Sequence, residues 1–305
     1  MKTRKLVLII ADVVLLAVCI SQWIIGNHDT TKYFDLKDTP DMIVIDTPEE
    51  KGITIVCEDG KWYVGADKFP AADNMIADFL DAVSSIRVLD KVGSTGNEAV
   101  VERYALNDIK KTVVTVYKDG KVVRTVNIGK EAVSDTQSYI TVDGGKDIYL
   151  ATGSLPYVFD TKTSAIRSEE VFNLDVSEIT SVAITNDDGN NWCLSRMGSG
   201  EDVAWNISGA EMEIDTLKAA SWFGSLAKLK TRNWYEENEL PVAEKIATAK
   251  IEYAFKTITI DLYAVEKAEG VPQAYYGRST SVPYPFVVDS DYAQSILKDP
   301  QELAK

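Results

Sequence analysis

The sequence predicts an α+β fold made twice: two tandem modules, each an antiparallel sheet with one main helix, behind a single amino-terminal membrane helix. Three observations predict it. The frame YFDL at Tyr33 returns as VFNL at Val171, with Phe34 and Phe172, like Leu36 and Leu174, 138 positions apart. Short β-branched runs recur in both halves, in the first separated by Asp-Gly and Gly-Gly, dipeptides that take the positive φ of tight hairpin turns. Ahead of both lies LVLIIADVVLLAVCISQWII, Leu6 to Ile25.

That apolar run of 20 residues is long enough, at roughly 1.5 Å per residue, for a hydrocarbon core of about 30 Å. Asp12 within it costs about 2.5–3.5 kcal/mol near the bilayer centre, which 13 Leu, Ile and Val at roughly −0.3 to −0.6 each offset. The run continues through Trp23, Ile24 and Ile25 without small residues at a cleavage site, so an uncleaved anchor is expected. Leu16-Ala17-Val18-Cys19 is similar to a bacterial lipoprotein box but carries Val18 before the cysteine, and lipidation of Cys19 stays open. Lys2, Arg4 and Lys5 place the amino-terminal side in the cytoplasm and the remainder outside it. Asp12 either docks against another transmembrane protein or sits near enough the interface to stay hydrated.

In the first module, strands are expected at Met42 to Ile45, Ile53 to Cys57 and Trp62 to Val64, the last two joined at Asp59-Gly60. Ile76, Phe79, Leu80, Val83 and Ile86 fall at helical spacing, with Asp73 placed to cap the first turn. TVVTVY and VVRTVNI flank Asp119-Gly120, and SYITVD and DIYLA flank Gly144-Gly145, predicting two more hairpins. In the second module a shift of 143 lays Trp62 on Trp205, Phe79 on Trp222, Val83 on Leu226 and Ile86 on Leu229. A shift of 146 lays Thr112–Tyr117 on Ile258–Tyr263, and AYYGRSTSVPYPFVV takes the place of SYITVDGGKDIYLA. The expected domains are residues 1–26 for the basic end and anchor, 27–32 for a tether, 33–170 for the first module and 171–305 for the second. A period near 140 residues is a duplicated domain, far longer than solenoid repeats of roughly 20–50.

With 305 residues and 45% hydrophobic content the chain can form real cores, and its net charge of −15 argues against nucleic acid as a partner. Only Cys57 and Cys193 lie in the exported part; they are expected as half-buried thiols, and a single bridge between them stays open. The one histidine, His28, sits in the tether, so histidine-based catalysis or metal binding lacks ligands, and two distant cysteines do not make a zinc site. VGSTGN lacks the spacing of a nucleotide-binding glycine loop. Ser225-Leu-Ala-Lys228 fits the Ser-x-x-Lys pattern of penicillin-binding enzymes without its companion motifs, and reads as the wet face of a helix. Asp35, Asp38, Asp41 and Asp46, or Asn186-Asp187-Asp188, lack the ligand order of a calcium loop and read as solvated turns. No cofactor or metal site is expected. Tyr275, Tyr276, Tyr284 and Phe286 could instead offer one aromatic surface to a protein or glycan.

Phe34 to Leu36, Trp62-Tyr63, Pro70-Ala71-Ala72-Asp73, Tyr104-Ala105-Leu106, Ile128-Gly129 and the hairpin from Tyr139 through Asp143-Gly144 to Tyr149 follow one another in a recognisable order. In that order the chain resembles the bacterial family known as domain of unknown function 4340. Ala105 stands where that family has Gly, and the second module keeps only the skeleton of the pattern. The resemblance implies a membrane-anchored or exported protein without assigned catalytic residues, associated with the gliding-type auxiliary component of ABC export systems. The expectation is therefore a noncatalytic, single-pass, extracytoplasmic accessory subunit of an ABC-type assembly on the bacterial cytoplasmic membrane, its partners being the bilayer, a permease and an envelope protein or glycan cargo. The alternative is an envelope enzyme or glycan-binding protein using a cleft between the modules.

Overall fold

The computed structural model describes residues 13–22, 31–187, 189–198, 203–266 and 270–305. Residues 13–22 form a helix, α1, exposed along its whole length, with Val13, Val14, Leu15, Leu16, Val18 and Ile20 among its apolar side chains. No helix among the described residues is long and apolar enough to cross a membrane. The full span expected over Leu6 to Ile25 is thus not shown: the described helix covers half of the roughly 20 residues that a crossing needs, and the flanks of the run lie outside the described residues.

The chain divides into two compact units, Met1–Arg167 and Ser168–Lys305, each mixed α and β with antiparallel sheets and few helices. Unit 1 contains β1 (Lys32–Asp35), β2 (Met42–Asp46), β3 (Ile53–Glu58), β4 (Lys61–Val64), β5 (Phe69–Pro70), α2 (Asp73–Ser84), β6 (Ser85–Ser94) and α3 (Glu98–Arg103). β7 (Thr112–Lys118), β8 (Lys121–Glu131), β9 (Gln137–Val142), β10 (Asp147–Thr152), α4 (Leu155–Phe159) and α5 (Thr163–Ile166) complete it. One ten-stranded sheet runs β1-β6-β10-β9-β8-β7-β2-β3-β4-β5. Alternation puts Ile43, Ile45, Ile53, Ile55, Val114 and Val116 on its buried face, where Ile76, Phe79 and Val83 of α2 meet the core. The tight turns fall at Asp59-Gly60, Asp119-Gly120 and Asp143-Gly144, each pair at positive φ; the first two close two-residue hairpins, and the third begins a four-residue connection in which the Gly145 N–H donates to the Val142 carbonyl at 3.0 Å. The last turn is thus one residue earlier than the Gly144-Gly145 that composition suggested.

Asp73 does not cap α2. Ala72 holds the cap position, its N–H donating to the Ile166 carbonyl at 2.9 Å, and Asp73 is the first helical residue, where its charge faces the positive end of the helix. A buried cation, which the hydrophobic pattern hid, ties the helix to the sheet. Arg124 is 4% exposed; its Nη1 donates to the carbonyls of Phe34 at 2.8 Å and Val83 at 3.0 Å, and Nε lies 3.3 Å from Asp143 Oδ2.

Unit 2 contains β11 (Glu170–Asn173), β12 (Ile179–Asn186), β13 (Asn191–Met197), β14 (Ala204–Ser208), α6 (Thr216–Leu226) and β15 (Lys228–Lys230). β16 (Ala243–Tyr253), β17 (Lys256–Val265), β18 (Tyr275–Ser279), β19 (Val282–Val288) and α7 (Ser290–Ile296) follow. Its seven-stranded sheet, β14-β13-β12-β16-β17-β18-β19, has the order of β4-β3-β2-β7-β8-β9-β10 in unit 1. The entry strand also pairs alike, Phe34 opposite Ile86 and Phe172 opposite Leu229. The Leu36 N–H donates to the Ser84 carbonyl at 2.7 Å and that of Leu174 to Ala227 at 2.8 Å. Each main helix is preceded by a bridge to the end of its own unit, Ala71 with Arg167 and Ile214 with Ala304. The units differ where β6 runs on to pair with β10, whereas β15 is cut to three residues and only a bridge from Trp234 to Phe286 continues toward β19.

These ladders correct one correspondence. Ile43 pairs with Val116 and Ile45 with Val114 in unit 1, while Val182 pairs with Ile251 and Ile184 with Ala249 in unit 2. The counterpart of β7 is therefore β16, a shift of 135. The shift of 146 set β7 on β17, one strand too far. TVVTVY and ITIDLY share the same alternation, whereas β16 fills its buried positions with the small Ala247 and Ala249 and opens on Glu244 and Lys245, so its strand signal is faint.

Two expected outcomes follow from the turn that α3 makes onto β8. A Cβ on Gly129 would lie 2.1 Å from the Tyr104 carbonyl oxygen, which already accepts from Lys130 N at 2.9 Å. Gly129→Ala should destabilise unit 1 by about 1–3 kcal/mol, measured by denaturant unfolding; an unchanged midpoint would contradict the close approach. Ala105 sits at φ 57°, a left-handed conformation costing an L-residue roughly 1–2 kcal/mol, against about 0.5–1 kcal/mol of extra chain entropy for glycine. Ala105→Gly should therefore raise the melting temperature slightly.

Candidate functional site

The aromatic residues singled out near the end of the sequence do not form one surface. Tyr276 pairs with Val287 and Gly277 with Phe286, so alternation sends Tyr275 and Tyr276 to opposite faces of β18. Phe286 is fully buried over Gly277, whose missing Cβ leaves the room the ring needs: a Cβ there would lie 2.6 Å from it. Tyr284 and Phe286 both present edges to Trp234, at 6.4 and 6.0 Å between centroids. Tyr275 is half-buried.

Tyr276 belongs instead to the outer face of β16–β18, with residues the sequence did not mark. Ile260 and Leu262 of β17 point into the core, which turns Asp261 and Tyr263 outward. Tyr263 and Tyr276, paired across the ladder, stack at 4.6 Å with planes 6° apart, and Tyr235 meets Tyr276 edge-on at 6.0 Å. Beside them Arg278 forks onto Glu237 at 2.9 and 2.8 Å, and Asp261 accepts from Thr248 at 2.7 Å and from Lys245 at 2.6 Å. The hydrogen bond and charge of Arg278 hold the Glu237 carboxyl below its usual range and are answered by an upward shift of Arg278 itself. Lys245 is raised by its hydrogen bond to Asp261, and the Tyr276 phenol by burial and then by Tyr263. At neutral pH the face carries settled charges and stacked rings, chemistry suited to recognition by stacking and ion pairing.

A second feature lies along the helices of unit 2. A groove of about 860 Å3 between α6 and α7 is lined by Leu217, Ser221, Trp222 and Leu297, and Trp222 Nε1 donates across it to the Ser295 carbonyl at 2.7 Å. It continues through Ser225, Asp291 and Ser295 into a basin of about 540 Å3 bordered by Lys228, Lys230 and Arg232. Asp215 positions α6 by accepting from the N–H groups of Leu217 and Lys218, and these two hydrogen bonds hold its carboxyl down. Tyr292 anchors α7 by donating to the Leu226 carbonyl at 3.1 Å, and burial pushes its phenol up. Unit 1 has a smaller version, about 330 Å3, beside α2 and α4, lined by Met75, Asp78, Phe79 and Tyr157. At the shift of 143, Met75, Asp78 and Phe79 correspond to Lys218, Ser221 and Trp222, so the feature recurs with altered lining.

Ser225 and Lys228 border the basin without acting as a pair: the Ser225 hydroxyl donates to the Trp222 carbonyl at 2.8 Å, and Lys228 starts β15 with its side chain exposed. The clustered aspartates serve separate turns. Asp35 accepts from Ser85, Asp41 from Asp119 N and Asp46 from Gly52 N. Among the described residues no group of three or more acidic, cysteine or histidine side chains converges as a metal site. Cys19, Cys57 and Cys193 are free thiols, the first exposed and the others half-buried. Asp12 and His28 lie outside the described residues, as does Asp188.

No curated protein and no solved structure matches the chain. A family model does, over residues 62–250, more than half of its length. The match starts at Trp62 in β4 and ends at Lys250 in β16, spanning parts of both units. The chain belongs to the family described as domain of unknown function (DUF4340).

Proposed function

We propose that the chain is a noncatalytic interaction subunit of an ABC-type, gliding-like transport assembly, anchored in the bacterial cytoplasmic membrane by one helix over Leu6 to Ile25, with both units on the extracytoplasmic side. The observation that carries this proposal is α1. Ten consecutive helical residues expose Val13, Val14, Leu15, Leu16, Val18 and Ile20, and a helix apolar all round is stable only when something apolar surrounds it. Among the described residues no surrounding element accounts for it, and the mostly apolar run that continues on either side supports a bilayer as the surroundings. The shared strand order, entry pairing and terminal bridge support descent of the two units from one duplicated module. Asp12 is the residue of the anchor proposed to meet a permease, since a carboxylate in hydrocarbon favours a polar partner. The outer face around Tyr235, Tyr263 and Arg278, which cover the buried Tyr276, is the proposed surface for a partner outside the membrane, being aromatic and arginine-bearing as the centres of protein interfaces are.

Mild detergent extraction of the tagged full chain should bring down a polytopic permease and its ATPase, identified by mass spectrometry. Asp12→Leu should cut that recovery several-fold while leaving the chain in the membrane fraction. Recovery of the chain from the soluble fraction, or equal recovery of the permease with Asp12→Leu, would remove the anchor or the docking carboxylate respectively.

A further inference from the structure

The helix grooves of the two units carry opposite charge. In unit 2, Lys218, Lys228, Lys230, Arg232 and Lys298 border the groove and basin on a chain whose net charge is −15. Three of these are occupied locally: Lys218 donates to the Ala304 carbonyl at 2.6 Å, Arg232 lies 3.0 Å from Asp289 and Lys298 2.8 Å from Glu302. Lys228 and Lys230 are not. Leu229 between them is fully buried, so alternation turns both ammonium groups outward, and among the described residues neither makes an ion pair.

In unit 1 the outward side of α2 carries Asp73, Asn74, Ala77, Asp78 and Asp81, all exposed, and the helix has no basic residue. Among the described residues Asp78 and Asp81 make no ion pair. Ala77 in the middle of the stripe permits close approach, and Tyr157, which shares a shallow depression with Asp78, is 81% exposed, an apolar ring with a polar tip open to a partner. The groove in unit 2 supplies apolar area in turn, with Leu217 at 82% exposure and Leu297 half-buried over the buried Trp222.

We propose that a second copy of this chain is the occupant: the acidic side of α2 in one molecule docks on the groove of α6, β15 and α7 in another, with Asp78 and Asp81 facing Lys228 and Lys230 and Tyr157 over Leu217 and Leu297. Asp289 and Glu302 in the groove are already answered by Arg232 and Lys298, so the charge it leaves open to a partner is the lysine pair, which an acidic helix side complements. Because each copy carries both surfaces, a reciprocated contact closes a two-fold dimer and an unreciprocated one extends a chain. Either makes mass depend on concentration.

Sedimentation velocity of the full-length chain in detergent tests this, over a range of concentrations at low and high salt. Association is expected, weakening in high salt as the screening length falls from about 8 Å at 0.15 M to about 3 Å at 1 M. Lys228→Glu with Lys230→Glu, and separately Asp78→Lys with Asp81→Lys, should each weaken it at least about tenfold, since like charges then face each other. An equimolar mixture of the two reversed proteins should associate again, as each supplies what the other has inverted. All four positions are exposed, and unchanged circular dichroism and melting confirm folding; Lys228→Gln with Lys230→Gln serves if a reversed protein does not fold. A chain that is monomeric at every concentration, association untouched by either pair, or a mixture that stays apart overturns the proposal. So does a monomer whose lysine pair instead binds phosphatidylglycerol vesicles.

Discussion

Each unit depends on one long-range pairing, β2 with β7 in the first and β12 with β16 in the second. It joins the opening hairpin to the closing meander, a seam that pairs strands far apart in sequence. Ile45 and Val114 stand 69 positions apart, and closing a loop of that length costs about 4 kcal/mol of chain entropy by the logarithmic estimate. Ile43, Ile45, Val114 and Val116, none exposed at all, offset it at roughly 1.5–3 kcal/mol each. The main helix of each unit lies within the loop so closed, and α2 and α6 bury Phe79 and Trp222 at corresponding positions.

The same seam explains how the two units could drift apart at their edges. In unit 1, β6 runs from β1 to β10 and Arg124 spends its charge on carbonyls of the entry strand and helix end, so the sheet holds ten strands. In unit 2 the position opposite the seam that corresponds to Arg124 is Ile258, at a shift of 134, and the entry pair β11–β15 stands as a separate ribbon. Trp234 takes over the connection, its Nε1 donating to the Ser168 carbonyl at 2.7 Å while its ring meets Phe286. A buried cation and an indole thus do related work by different means: both satisfy backbone carbonyls at the start of the unit while filling space at its core.

Much of this was legible from residue pattern. The helices, the hairpin turns at Asp59-Gly60 and Asp119-Gly120 and the entry frame at Phe34 and Phe172 all rest on local chemistry: 3.6-residue spacing, positive φ and alternation. What was hidden required partners distant in sequence. β16 conceals itself because Ala247 and Ala249 are the buried residues of a strand whose neighbours supply the bulk. Arg124 reads as a surface residue in VVRTVNI until Phe34 and Val83 are brought to it. The tyrosines misled for the reverse reason: their clustering in sequence suggested a shared surface, whereas alternate residues on a strand face opposite ways and Tyr263, Tyr235 and Arg278, remote from one another in the chain, are the neighbours Tyr276 acquires.

The shared strand order also constrains where the two units can differ. Phe79, stacked on Phe159, and Trp222, stacked on Trp192, are buried, so changes of large volume there would disturb both helix and core. One turn away, Met75 and Asp78 correspond to Lys218 and Ser221, positions at the groove rim where side chains reach solvent and exchange costs the core nothing. Opposite charge can therefore accumulate on equivalent rims without altering either fold. Two units in one chain thus present two rims of different charge balance, because the buried ladder that the units share leaves the rim residues free to differ.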